Sequence, residues 1–136
     1  MRRPAGGELS GFERLPHTRA QGRAAEEAAE AHLRALGYRI VERNLASKLG
    51  EIDLVALDGE TLCFIEVKAR AHGEFGPAIA AVGPRKQARI ARTAAMFLAK
   101  NRSSRACRFD VLGLDRKPDG SWETTLIRDA FELRST

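Results

Sequence analysis

The 136-residue chain contains only two cysteines, Cys63 and Cys107, and neither belongs to a CxxC pair. With so few thiols a disulfide-stapled scaffold is excluded, and both read as reduced thiols of a cytoplasmic protein. Long hydrophobic runs are also missing: no apolar stretch approaches the roughly 20 residues that a membrane-spanning helix needs. The first 20 residues carry charges, glycines and prolines but no apolar run, so they do not read as a secretory signal. Histidine is scarce as well. His17, His32 and His72 show no ligand spacing with cysteine, and a catalytic histidine is not expected. There is no internal repeat and no low-complexity segment. What is present is an ordinary globular mixture, 43% hydrophobic and 30% charged, of a length that supports one domain with one core.

Charge is unevenly distributed. Basic residues number 23 against 18 acidic ones, and the pI is near 9.8. Eight of the basic residues fall between Pro84 and Arg108, a segment without Asp or Glu, which leaves 15 basic against all 18 acidic residues elsewhere. A basic segment on a mildly acidic body is the pattern of a phosphate-backbone binder. The plainer alternative is a solvated helix face. Arg85, Lys86, Arg89 and Arg92 are the residues expected to meet nucleic acid.

Residues 1–18 read as a flexible extension, because Pro4, Gly6, Gly7, Gly11 and Pro16 interrupt any periodicity; residues 19–136 read as a single domain. A helix is expected from Arg19 to Leu36, with Ala25, Ala29, Leu33 and Leu36 as its apolar stripe and Gly37 at its end. Strands follow at Tyr38 to Leu45, Glu51 to Leu57 and Thr61 to Ala69. The last two are joined through Asp58-Gly59, a dipeptide that favours a type I′ hairpin turn. A loop with Gly73, Gly76 and Pro77 leads to a second helix opened by Gly83-Pro84, with Ile90, Ala91, Ala94, Phe97 and Leu98 facing the core. Arg108 to Leu114 and Ser121 to Ile127 are the closing strands, and Asp129 to Leu133 is too short to assign. The order αβββαββ gives an α/β fold with a mixed sheet flanked by helices.

The informative feature is charge where a core is expected. Alternate residues of a strand share a face, so Glu51 and Asp53 accompany Val55 and Leu57, while Glu66 and Lys68 accompany Leu62 and Phe64. With Asp58-Gly59 as the turn, Leu57 pairs with Glu60 and Asp53 with Phe64. That register places Asp53 diagonal to Glu66, roughly 7–8 Å between backbones, and Glu51 directly across from Glu66. Desolvating an isolated carboxylate costs several kcal/mol in practice, so such charges must be paired or bind a metal. A divalent cation shared by Asp53 and Glu66 removes the conflict, and Mg²⁺, which prefers oxygen ligands, would also accept the carbonyl of Val67. The alternative is a structural ion pair of Lys68 with Glu66 or Asp53. Glu26 borders the inward stripe of the first helix and Gln87 begins that of the second; taken singly, each is better explained as a solvated or capping residue, and it is their agreement with the strand face that raises them. A carboxylate pair followed by Lys68 is chemistry suited to cutting phosphodiesters, with the ion polarising the phosphate and the lysine orienting water or stabilising developing charge.

Several motifs occur in order: Gly22-x-x-Ala25-Glu26, Gly37-Tyr38 with Arg43-Asn44, Gly50-Glu51-Ile52-Asp53-Leu54, Phe64-Ile65-Glu66-Val67-Lys68-x-Arg70, and Val82-x-Pro84-Arg85-Lys86-Gln87. Together they resemble the YraN family, bacterial proteins of the PD-(D/E)XK nuclease superfamily related to archaeal Holliday-junction resolvases. The resemblance spans about Gln21 to Leu114. It implies a restriction-endonuclease-like core in which Glu26, Asp53 and Glu66 are acidic site residues, Lys68 the catalytic lysine and Gln87 an auxiliary polar group. Ile52 stands where the superfamily has its eponymous proline, and Gly83 where the family often has Ser or Thr. The expected activity is a Mg²⁺- or Mn²⁺-dependent endonuclease acting on branched or single-stranded DNA, with a homodimer as one way to cut both strands. The alternative is a nucleic-acid-binding module without turnover. Asp110 is expected to pair with an arginine, Trp122 to anchor packing, and Cys63 to face away from the carboxylates.

Overall fold

A computed structural model describes residues 19–70 and 82–132. The N-terminal extension 1–18, the loop holding Gly73, Gly76 and Pro77, and His17 and His72 lie outside the described residues. The elements run α1 (Arg19–Ala35), β1 (Arg39–Ser47), β2 (Gly50–Asp58), β3 (Thr61–Arg70), α2 (Pro84–Lys100), β4 (Cys107–Arg116) and β5 (Trp122–Phe131). They form the expected αβββαββ order around a five-stranded sheet β1-β2-β3-β4-β5. Only β3 and β4 pair in parallel, joined by the crossover that contains α2; the other neighbours are antiparallel. This mixed α/β architecture is consistent with a restriction-endonuclease-like core. Among the described residues, no helix is long and apolar enough to cross a membrane.

Each helix covers one face of the sheet. Ala25, Ala29 and Leu33 of α1 pack with Leu54, Ala56, Cys63, Ile65, Leu112 and Leu114. Full burial of a side chain such as Leu33 contributes about 1.5–3 kcal/mol. On the other face, Ile90 and Ala94 of α2 pack with Val55, Leu57, Leu62, Phe64 and Val111. Phe64 and Phe109 stack with centroids 5.5 Å apart, and Phe97 of α2 meets Phe64 edge-on at 5.9 Å, so aromatic contacts tie α2 to the two parallel strands. Leu36, expected in the α1 stripe, is instead 45% exposed. The helix ends before it: the Gly37 N–H bonds the Arg34 carbonyl and the Tyr38 N–H the Leu33 carbonyl, with Gly37 at φ +97°. That reversal turns Leu36 outward and Tyr38 inward.

The β2–β3 hairpin differs from the expected one. Its closing pair is Asp58↔Thr61, followed by Leu57↔Leu62, so the two-residue loop is Gly59-Glu60 and not Asp58-Gly59. Gly59 takes the positive φ (+62°) and Glu60 does not, which matches a turn with glycine at its first position. Asp58 is retained by the strand because its carboxylate binds Arg108 at 2.9 Å. The observed pairs run from Asp58↔Thr61 to Leu54↔Ile65, two residues out of the expected register, so neither the diagonal placement of Asp53 and Glu66 nor the pairing of Glu51 with Glu66 is formed.

Candidate active site

The β2–β3 ladder stops at Leu54↔Ile65. Strict alternation of β2 also fails there, since Ile52 joins the α2-side cluster of Val55 although the two have opposite parity. Where the ladder ends, the Asp53 side chain takes it over: Oδ2 accepts a hydrogen bond of 2.8 Å from the Val67 backbone N–H. In an extended strand a residue's N–H and C=O leave on the same edge, so the Val67 carbonyl is directed to the edge that β2 has vacated.

Glu66, one residue earlier on β3, is 6% exposed, and its Oε2 lies 2.5 Å from the Lys86 Nζ. Burial raises its carboxyl above the ordinary range, Lys86 opposes that rise, Glu51 adds to it and Lys68 again opposes it. The Asp53 carboxyl is held well above the usual carboxylate range, first by its enclosure in protein and next by the charge of Glu66, while the Val67 N–H acts the other way. Neighbouring carboxylates in a poorly solvated site resist ionising together. Among the described residues, no group of three or more His, Cys, Asp or Glu is placed to hold a metal. A cation here would therefore rest on Asp53, Glu66, backbone oxygen and water, an all-oxygen set that fits Mg²⁺ or Mn²⁺ chemistry better than zinc.

The remaining expected residues divide. Lys68 is partly buried two residues beyond Glu66, close enough to act on its charge. Glu26 is exposed on α1; its carboxyl is raised by desolvation and then by the charges of Glu30 and Glu51, which places it on the acidic side of the site, and neither Asp53 nor Glu66 is among the leading contributors to that rise. The Gln87 amide donates to the Val82 carbonyl at 2.9 Å and so closes the first turn of α2. Arg85, Arg89 and Arg92 form an exposed stripe on α2, at helical spacing. Lys86, expected beside them, turns to Glu66 instead. Its spacing of four before Ile90 and seven before Thr93, both buried, was the signal for this. A cavity of about 380 Å³ between β1 and the C-terminal half of α2, lined by Leu45, Thr93 and Met96 among others, includes none of these residues.

A second polar cluster, at the hairpin end of the sheet, went unread in the sequence beyond the pairing of Asp110 with an arginine. Asp110 is buried, and accepts from Arg108 Nε (2.9 Å) and Nη2 (3.0 Å), the Tyr38 hydroxyl (3.1 Å) and the Asp129 N–H (3.0 Å). With both oxygens each accepting two hydrogen bonds it is a structural lock. Cys63 is buried on the α1 side, as expected, and its thiol is pushed up to about 12. His32 bonds Thr124 at 3.0 Å, and Trp122 packs under the Arg116 guanidinium.

A family profile described as uncharacterised protein family UPF0102 matches residues 25–114. The chain belongs to this family. UPF0102 is the YraN family, in agreement with the motif resemblance. A UPF0102 protein of Syntrophus aciditrophicus is 44% identical over 113 residues, 82% of this chain and 88% of the relative. Those of Symbiobacterium thermophilum and Frankia casuarinae are 45% and 46% identical, covering 84% and 82% of this chain and 98% and 96% of their own. UPF0102 similarity thus takes in both halves of the site, Asp53 to Lys68 on β2–β3 and Lys86 on α2.

Proposed function

We propose that this UPF0102 protein is a divalent-metal-dependent endonuclease that hydrolyses DNA phosphodiesters, with branched or single-stranded DNA as its substrate class. The observation that carries the reading is the pair of poorly solvated carboxylates, Asp53 and Glu66, brought together where β2 leaves β3, with Lys68 next along the strand. A poorly solvated carboxylate pair costs stability unless positive charge compensates it; Lys86 supplies part of that charge, and a divalent cation would supply the rest.

Asp53, Glu66 and the Val67 carbonyl would hold Mg²⁺ or Mn²⁺, which would polarise the scissile phosphate and lower the pKa of a bound water. The Val67 N–H fixes the Asp53 carboxylate so that one oxygen stays available. Lys68 would orient the attacking water or stabilise charge developing on the phosphate. Arg85, Arg89 and Arg92 would hold the phosphate backbone beside the site.

Cleavage of duplex, single-stranded and branched DNA would be assayed with Mg²⁺ and Mn²⁺ on wild type, Asp53→Ala and Lys68→Ala. Activity in wild type alone is expected; equal cleavage by all three would assign it to a contaminant. The exposed arginine stripe also favours a second reading, a binding module without turnover, which predicts DNA binding that survives EDTA and no cleavage with either metal.

A further inference from the structure

Lys86 lies in the first turn of α2, next to Arg85 and with no acidic residue in that turn. This is the positive end of the helix dipole, where a cation is disfavoured. Its ammonium nevertheless reaches inward to the Glu66 carboxylate, the more buried partner of the two (6% against 27% exposed). The same ammonium opposes the raised pKa of Asp53. It therefore supplies to the carboxylate pair the positive charge that a divalent ion would otherwise bring. An ammonium and a hydrated divalent ion cannot both lie within contact distance of one carboxylate oxygen without repelling each other.

We infer that Lys86 is a resident counter-ion of the site, which neutralises Glu66 in the metal-free protein and must leave that oxygen when a divalent cation binds. This rests on the metal-site reading above. A lysine suits the role: its charge is a compact point on a flexible four-carbon stem, so it can release one anion and take another. The root of the side chain is one position from Arg85, so a released Lys86 keeps its charge at the N-terminal end of α2, near the exposed arginines. Metal loading would then increase the positive charge offered to a phosphate backbone.

The test is Mn²⁺ binding to the full chain, by calorimetry, for wild type, Lys86→Met and Lys68→Met. Lys68 serves as the comparison because its charge also acts on Glu66, but less strongly than that of Lys86. Lys86→Met is expected to bind Mn²⁺ at least about tenfold more tightly than wild type, with a clearly smaller gain for Lys68→Met and a lower Tm for Lys86→Met in EDTA. A variant-free measurement accompanies it: in reductively ¹³C-methylated wild type, the Lys86 signal should move toward that of solvent-exposed lysines on addition of Mg²⁺. Tight Mn²⁺ binding by wild type that Lys86→Met leaves unchanged or weakens, an equal gain in both variants, or a Lys86 signal that Mg²⁺ leaves in place overturns the counter-ion role while leaving the metal site intact. No Mn²⁺ binding by any of the proteins overturns both.

Discussion

The Asp53 carboxylate occupies the hydrogen-bonding position that a β2 carbonyl would otherwise fill opposite Val67, accepting its N–H at 2.8 Å. Asp110 does the same at the other end of the sheet. The β4–β5 register shifts between Phe109 and Val111, and Asp110 accepts the N–H of Asp129, whose φ is +56°. Two irregularities in one sheet are thus each closed by an aspartate, with opposite electrostatics. Asp110 is matched by Arg108; Asp53 faces Glu66.

Asp53→Asn keeps an oxygen for the Val67 N–H and removes the conflict of charge. The native carboxyl is raised, so its stabilising contribution is complete below the unfolded value of about 4 and is lost as pH rises through the native value. In EDTA, the wild-type Tm should therefore fall across that window relative to Asp53→Asn, and the variant should be the more stable by a few degrees at neutral pH. Thermal melts of both proteins from acid to neutral pH check this. A more stable wild type at neutral pH would contradict the burial of an unfavourable charge.

Asp110→Ala leaves Arg108, Tyr38 and Asp129 without their shared acceptor. Breaking a buried ion pair from one side costs about 3–5 kcal/mol, and urea unfolding should show a loss of that size. Asp110→Asn should lose less, because an amide oxygen retains part of the acceptance.

Tyr38 is the chain's single tyrosine, so absorbance near 295 nm reports it alone. Its phenol is pushed up to about 12, by burial first, with the Arg128 guanidinium opposing. Because the native value lies above the usual one near 10, the neutral phenol contributes stability that is lost as pH rises toward 12. A spectrophotometric titration should show a late transition accompanied by unfolding; an ordinary midpoint near 10 in the folded protein would refute the burial argument.

Cys63, buried and raised to about 12, should resist alkylation at pH 8, where almost none of it is thiolate. Cys107 is only partly buried, and should react first. Mass spectrometry after timed iodoacetamide treatment distinguishes the two, and complete labelling of Cys63 in the native protein would count against the packing of the α1 face.

Arg85, Arg89 and Arg92 are exposed at helical spacing on α2. If they contact phosphates, replacing all three with Ala should reduce the slope of log K against log salt by about 0.9 for each contact removed on duplex DNA, or about 0.7 on a single strand. Fluorescence anisotropy at several salt concentrations measures it, and an unchanged slope would exclude this surface as the DNA contact.

Local pattern determined much of the protein. The helix stripes Ala25-Ala29-Leu33 and Ile90-Ala94, the Gly37 terminus, the strand periods and the element order follow from spacing alone, because period and turn chemistry act over a few residues. The approach of Asp53 to Glu66 does not follow from that period, because alternation fails at Ile52 and the Asp53 carboxylate bonds the Val67 N–H at the edge of β3. Tertiary structure decided the rest. Asp58 is held in its strand by Arg108, fifty positions away, and the turn falls at Gly59-Glu60, which shifts the pairing of β2 with β3 by two residues. Spacing from Ile90 and Thr93 puts Lys86 on the inward side of α2, but the carboxylate it meets there, Glu66 of β3, is supplied by the fold. Such pairings between distant segments depend on which side chains the fold makes neighbours, and no local period encodes that.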